Sequence, residues 1–175
     1  MRLYELKPHQ IQILNELKTL PQKNLHYYVI QQSLTEPNLT LNELKKYIKR
    51  SIKYFIKDFT GYNYRPGLEN EIVKYYCFFE TTQEFFNSQN SNHNLSEELY
   101  SGLHFHLFIS SPNCVIHLPS YTHYLFTQLT SQKNKRKSIT KFDYSKIEHL
   151  DEEFINYHTK QMMYRFSPEL VFKNI

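Results

Sequence analysis

His104 and His106 stand one residue apart inside the apolar run GLHFHLFIS, residues 102–110. Side chains alternate between the faces of an extended strand. Both imidazoles therefore point one way, and Phe105, Leu107 and Ile109 point the other, toward a core. Two neutral imidazoles on one face can share a single cation. They can equally be satisfied by hydrogen bonds to backbone or to a carboxylate, and the pair alone does not choose. Glu80 ends the run YYCFFE, residues 75–80, on a strand expected to pair antiparallel with 102–110 and bring its carboxylate beside the imidazoles. Two imidazoles and a carboxylate suit Mn²⁺ or Mg²⁺, with positions left open for water or a phosphate oxygen. An ordinary strand-end charge is the plainer account of Glu80.

A second group falls near the C-terminus, in FINYHTKQMMY, residues 154–164. On a helix Tyr157, Lys160, Gln161 and Tyr164 occupy i, i+3, i+4 and i+7, one continuous stripe. Such a stripe offers a phenol to attack, an ammonium to stabilise charge and an amide to reach a metal or DNA. A stripe that simply faces solvent would look the same.

The elements that must position these groups follow from local signals. Residues 8–20 read as a helix, with Pro8 in its first turn, Ile11, Leu14, Leu17 and Leu20 in helical register and Pro21 as a stop. A strand is expected over 24–34. Residues 40–59 give a helix opened by a Thr40/Glu43 capping box, with Leu41, Leu44, Ile48, Ile52, Phe55 and Phe59 on one face. Lys45, Lys46, Lys49, Arg50, Lys53 and Lys57 fall mostly elsewhere and read as a solvated face. After a loop over 60–67 come strands at 71–83 and 102–110, separated by a polar connection. Then follow a helix at 119–132, the basic loop KNKRK at 133–137, a strand at 138–149 and an Asp151-capped helix to about residue 166. Strands joined without an intervening helix pair antiparallel. The fold class is α+β: an antiparallel sheet of about four to five strands with helices packed on it.

Composition narrows the chemistry. A chain of 175 residues suits one domain spanning 1–175. Three glycines (Gly61, Gly67 and Gly102) and neither Gly-rich phosphate motif argue against a P-loop NTPase or a Rossmann enzyme. Cys77 and Cys114 follow no metal or redox spacing and read as buried thiols in a reducing compartment. A net charge of +4 is too mild to specify nucleic acid by itself. The first twenty residues carry charges throughout, and no apolar run is long enough to cross a bilayer. A cytoplasmic protein with no membrane partner is expected.

Three features in order carry a family resemblance: the His-x-His of SGLHFHLFI, the acid of FFETT on the strand before it, and the Tyr-x-x-Lys of YHTKQ on a later helix. Together they resemble the HUH endonucleases, and are most like the rolling-circle replication initiator (Rep) proteins of small plasmids and single-stranded DNA viruses. Relaxases and small single-strand transposases are relatives. The resemblance covers most of the chain, from YYVIQQSLTEPNLTLNELKKYIKRSIKYF to YHTKQ, with IQQSLT a loose match to the Thr-rich stretch of the first Rep strand. It implies a ferredoxin/RRM-like HUH fold and a Mn²⁺ or Mg²⁺ ion held by His104, His106 and Glu80. Tyr157 would be the nucleophile and Lys160 its polar neighbour. In the small transposases a Gln four residues after the tyrosine is itself a ligand, so Gln161 is the alternative third ligand.

The implied activity is site-specific nicking and joining of single-stranded DNA through a covalent 5′-phosphotyrosine, at an origin or hairpin nick site, with a host helicase as a further partner. Tyr62, Tyr64 and Arg65 in the loop 60–67, and Lys133, Lys135, Arg136 and Lys137 in KNKRK, would then face the DNA. Two other classes fit some of the same residues. One is a cupin-like oxygenase, which would need an all-β barrel; the other is a non-catalytic nucleic-acid module on an RRM-like sheet.

Overall fold

The longest helix shows how local sequence sets the elements. In the computed structural model, which describes residues 6–33, 39–80, 104–112, 116–131, 139–159 and 170–175, α2 runs over Leu41–Thr60. Thr40 Oγ1 accepts from the Glu43 N–H at 3.1 Å, and the Glu43 carboxylate accepts from the Thr40 N–H at 2.8 Å. This closes the expected capping box. Gly61, at φ 55°, ends the helix in a conformation that L side chains rarely adopt. Leu41, Leu44, Tyr47, Ile48, Ser51, Ile52, Phe55 and Ile56 are buried. Phe59, expected on that face, is instead exposed in the helix's last turn. The N-terminal helix, α1 (Pro8–Lys18), differs in the same way: Ile11 is exposed, while Gln10 is buried and its Nε2–H donates to Thr159 Oγ1 at 2.8 Å.

Among the described residues five antiparallel strands form one open sheet: β1 (Leu25–Gln32), β2 (Lys74–Glu80), β3 (His104–Ser110), β4 (Ile139–Lys146) and β5 (Val171–Lys173). Their order is β4-β1-β3-β2-β5. The expected strand at 71–83 is shorter within the described residues, because Leu68–Ile72 forms a short helix, α3. The strand β5, too short to carry a periodic signal, was not expected from sequence. The helix expected at 119–132 begins as a 3₁₀ turn at Leu118–Ser120 and continues as α4 (Tyr121–Thr130). The last helix, α5, covers Glu152–His158 and is capped by Asp151 Oδ1, which accepts from the Phe154 N–H at 2.8 Å. Its expected extension toward residue 166 lies outside the described residues, as does Cys114. Cys77 is a buried free thiol, and burial pushes its pKa up.

Each face of the sheet has its own core. On one face α2 and α4 cover Tyr28, Ile30, Tyr75, Cys77, Phe79, Phe105, Leu107 and Ile109. On the other, α1 and α5 cover Leu25, Tyr27, Tyr76, Phe78 and Phe108. Two-sided cover explains why β2 and β3 are buried at every position but the first, rather than only at alternate ones. Among the described residues no helix is long and apolar enough to cross a membrane.

Candidate metal centre

Register brings the candidate ligands together. In the β2–β3 pair Glu80 lies directly opposite His104, and Phe78 opposite His106. The long connection from Glu80 to His104 does not prevent this pairing. Residues directly opposite share a face, so Glu80, His104 and His106 all project from the α1/α5 side. Glu80 Oε2 lies 2.8 Å from His104 Nε2 and 3.0 Å from His106 Nε2. Glu80 and His106 are buried and His104 nearly so.

This donor set fits a divalent ion. The three ligand atoms lie within 4.8 Å of one another. Two donors at ~2.1 Å from one ion and at right angles are themselves ~3.0 Å apart, close to the Glu80–His separations found here. The set also carries the required charge. Burial alone would raise the Glu80 carboxyl, but hydrogen bonds from His104 and His106 outweigh it and lower its pKa to about 2. Burial lowers the pKa of His106, against the opposing pull of Glu80, and so favours the neutral imidazole that a metal needs. Among the described residues, His104 Nδ1 is buried without a hydrogen-bond partner.

Behind His106 stands a residue that the sequence reading missed. The Tyr27 hydroxyl lies 2.5 Å from His106 Nδ1 and 2.8 Å from His158 Nδ1. Burial, reinforced by the negative charge of Glu80, raises the Tyr27 pKa far above the ordinary phenol value, so Tyr27 remains a protonated bridge. His158, on α5, follows Tyr157 directly, and the two rings meet edge to face at 4.9 Å. Phe154 packs against His158 at 4.3 Å and against Tyr27 at 5.3 Å, and Ile155 is fully buried in the α1/α5 core. The helix carrying Tyr157 therefore sits on the same face as the His/Glu cluster, with Tyr157 itself 65% exposed. The row through His104 extends across β1 to Gln31 and then Lys141 on β4. Lys141 pairs with Asp143 at 3.0 Å and adds a cation to this face. Neither Tyr27 nor Lys141 stands out until strand register is known, and His158 was not singled out either.

The other expected site residues divide. Lys160 and Gln161 lie outside the described residues, as do Lys133, Lys135, Arg136 and Lys137. Tyr62 is fully exposed, in the turn after α2. Tyr64 packs against the α2/α4 core and its hydroxyl donates to Glu69 at 3.1 Å, while Arg65 pairs with Glu71 at 2.6 Å. This loop thus belongs to the face opposite the His/Glu cluster. No family model, curated protein or solved structure matches the chain.

Proposed function

We propose that the protein is a metal-dependent, HUH-type endonuclease and strand transferase. It would nick and rejoin single-stranded DNA through a covalent 5′-phosphotyrosine at Tyr157, and so initiate rolling-circle replication. One observation carries this reading: two imidazole Nε2 atoms and a buried carboxylate oxygen converge on one sheet face, and the helix bearing an exposed tyrosine is tied to that face through His158 and Tyr27. His104, His106 and Glu80 would hold Mn²⁺ or Mg²⁺, which supplies charge withdrawal from the non-bridging oxygens of a bound phosphodiester. Tyr157 Oη forms the new bond to phosphorus and the bond to the 3′-oxygen breaks. The phenolic proton leaves to the solvent that reaches Tyr157, and the departing 3′-oxygen takes up a proton. The ester keeps the phosphate activated, so attack by a 3′-hydroxyl rejoins the strand without ATP.

Two histidines and a carboxylate are also the ligand set of non-haem iron oxygenases. The exposed tyrosine on the helix tied to the cluster's face favours strand transfer, and one experiment separates the two. Incubation with a labelled, randomised single-strand pool and Mn²⁺ should give a denaturation-resistant protein–DNA adduct that Tyr157→Phe abolishes. An adduct surviving in that variant removes Tyr157 as nucleophile. Absence of any adduct from the native chain removes the reading.

A further inference from the structure

A second charged feature lies on the opposite side of the sheet. Lys46, Lys49, Arg50 and Lys53 follow one another on α2 at i, i+3, i+4 and i+7. At 3.6 residues per turn they fall within an arc of about 100° and run for ~10 Å along the helix. Among the described residues none of the four forms an ion pair. They line a cavity of about 500 Å³ whose far wall includes Glu69 and Asn70 from α3. Tyr54, 42% exposed, lines this cavity and also a cleft of about 310 Å³ between α2 and α4, which His123 and Tyr124 help to line.

Cations on a solvated helix are common, but these four border a concavity rather than an open convex face. Neighbours three and four apart stand ~5–6 Å from one another, a spacing that lets successive side chains reach successive phosphates. Beside the row stands an accessible aromatic ring, opening onto a second aromatic-lined cleft. A row of cations tracking a backbone, next to a ring on which a base can stack, is how single strands are held without sequence preference. An acidic peptide would use the charges and leave the ring idle.

We infer that the α2 groove is a binding site for single-stranded nucleic acid, distinct from the metal centre: Lys46, Lys49, Arg50 and Lys53 contact phosphates, and a base stacks on Tyr54. The two sites lie on opposite faces of the sheet, so a strand in the groove is tethered rather than presented for cleavage.

The test is a fluorescence-anisotropy titration of the full chain with labelled (dT)₁₂ in EDTA over a range of salt, where strand transfer gives no signal. The outcome is therefore independent of the nicking proposal. Each lost phosphate contact on a single strand reduces the slope of log affinity against log salt by about 0.7, so K46Q/K49Q/R50Q/K53Q should reduce it by about three. Tyr54→Ala should weaken (dT)₁₂ binding about fivefold or more at fixed salt. Lys46, Lys49, Lys53 and Tyr54 are exposed and Arg50 is half-buried over the Tyr47 ring, and circular dichroism checks that both variants fold. An unchanged slope in the folded quadruple variant overturns the site. Competition by poly-L-glutamate as effective as that by unlabelled (dT)₁₂ overturns the nucleic-acid assignment.

Discussion

The Tyr27 hydroxyl lies 2.5 Å from Nδ1 of His106, on the side of that imidazole turned away from Glu80. A metal-ligating histidine is ordinarily oriented by a hydrogen bond at its other ring nitrogen, and loss of that partner weakens metal binding ten- to a hundredfold. Tyr27→Phe should therefore reduce Mn²⁺ affinity by about that factor, read by calorimetry or by manganese spin resonance. The ring stays in place, because its contact with Phe108 at 4.7 Å does not need the hydroxyl. The folded fraction should hardly change.

The same bridge predicts a spectroscopic signature. With its Nε2–H donated to Glu80, His106 offers a lone pair at Nδ1; the Tyr27 hydroxyl donates to it and in turn accepts from His158 Nδ1–H. A cation on His106 Nε2 moves the proton to Nδ1 and reverses both bonds, which leaves His158 protonated at Nε2. Imidazole ¹⁵N shifts with a diamagnetic ion such as Mg²⁺ should show His158 changing tautomer on metal addition. No change is expected in Tyr27→Phe.

Binding to the folded chain alone must also raise its stability. A ligand at a hundred times its Kd adds about 2.7 kcal/mol, and for a chain of this size each kcal/mol moves Tm by roughly 2–4 °C. Mn²⁺ at that excess should thus raise Tm by about 5–10 °C. Glu80→Gln, which removes the anionic ligand, should abolish most of the shift at the same concentration. Thermal melts with and without EDTA measure both.

The parts of this molecule that depend on near neighbours in sequence were legible before the fold was known. The Thr40/Glu43 box, the Asp151 cap and the alternation that puts His104 and His106 on one side needed only local rules. Glu80 was legible as a candidate because a paired strand was expected, but its position opposite His104 is a matter of register that no periodicity fixes. Tyr27 was hidden for a stronger reason. It lies in a run of two tyrosines, and only pairing to β3 decides that Tyr27 meets His106 while Tyr28 turns to the α2 core. Ile11 and Phe59 fit helical spacing and are nonetheless exposed, because spacing defines a stripe without saying where its cover ends.

Acid should destabilise the fold in two windows. Burial, aided by the positive charges of Lys146 and His117, pushes the His26 pKa from 6.5 down to about 4. Between those values the unfolded chain binds a proton that the folded chain refuses, so stability is complete above pH 6.5 and falls as pH drops toward 4. The Glu80 pKa, lowered from 4.5 to about 2, has the same sign at lower pH: its contribution is complete above 4.5 and is lost as pH falls through 2. Urea titrations from pH 8 to 3 should show both limbs. His26→Gln should make the upper limb shallower, with His106, whose pKa burial also lowers, supplying what remains of it, and leave the lower limb intact.

The last prediction separates the helix that carries Tyr157 from the His/Glu cluster. Gln10 joins α1 to the end of α5: its Oε1 accepts from the Lys7 N–H at 2.9 Å and its Nε2–H donates to Thr159 Oγ1 at 2.8 Å. Gln10 and Thr159 are both buried, but the Thr159 hydroxyl keeps its bond to the Ile155 carbonyl and Lys7 is exposed, so Gln10→Met keeps volume and loses two hydrogen bonds at about 0.5–1.5 kcal/mol each. None of the ligands touches Gln10. Mn²⁺ affinity should therefore stay at its native value, while, on the proposed strand-transfer activity, the yield of covalent DNA adduct falls because the helix that carries Tyr157 is less firmly held. This is the reverse of Tyr27→Phe, where metal affinity falls first. Metal titration and adduct assay on the two variants side by side check the contrast, and equal loss of Mn²⁺ binding in both would show that α5 and the His/Glu cluster are not positioned separately.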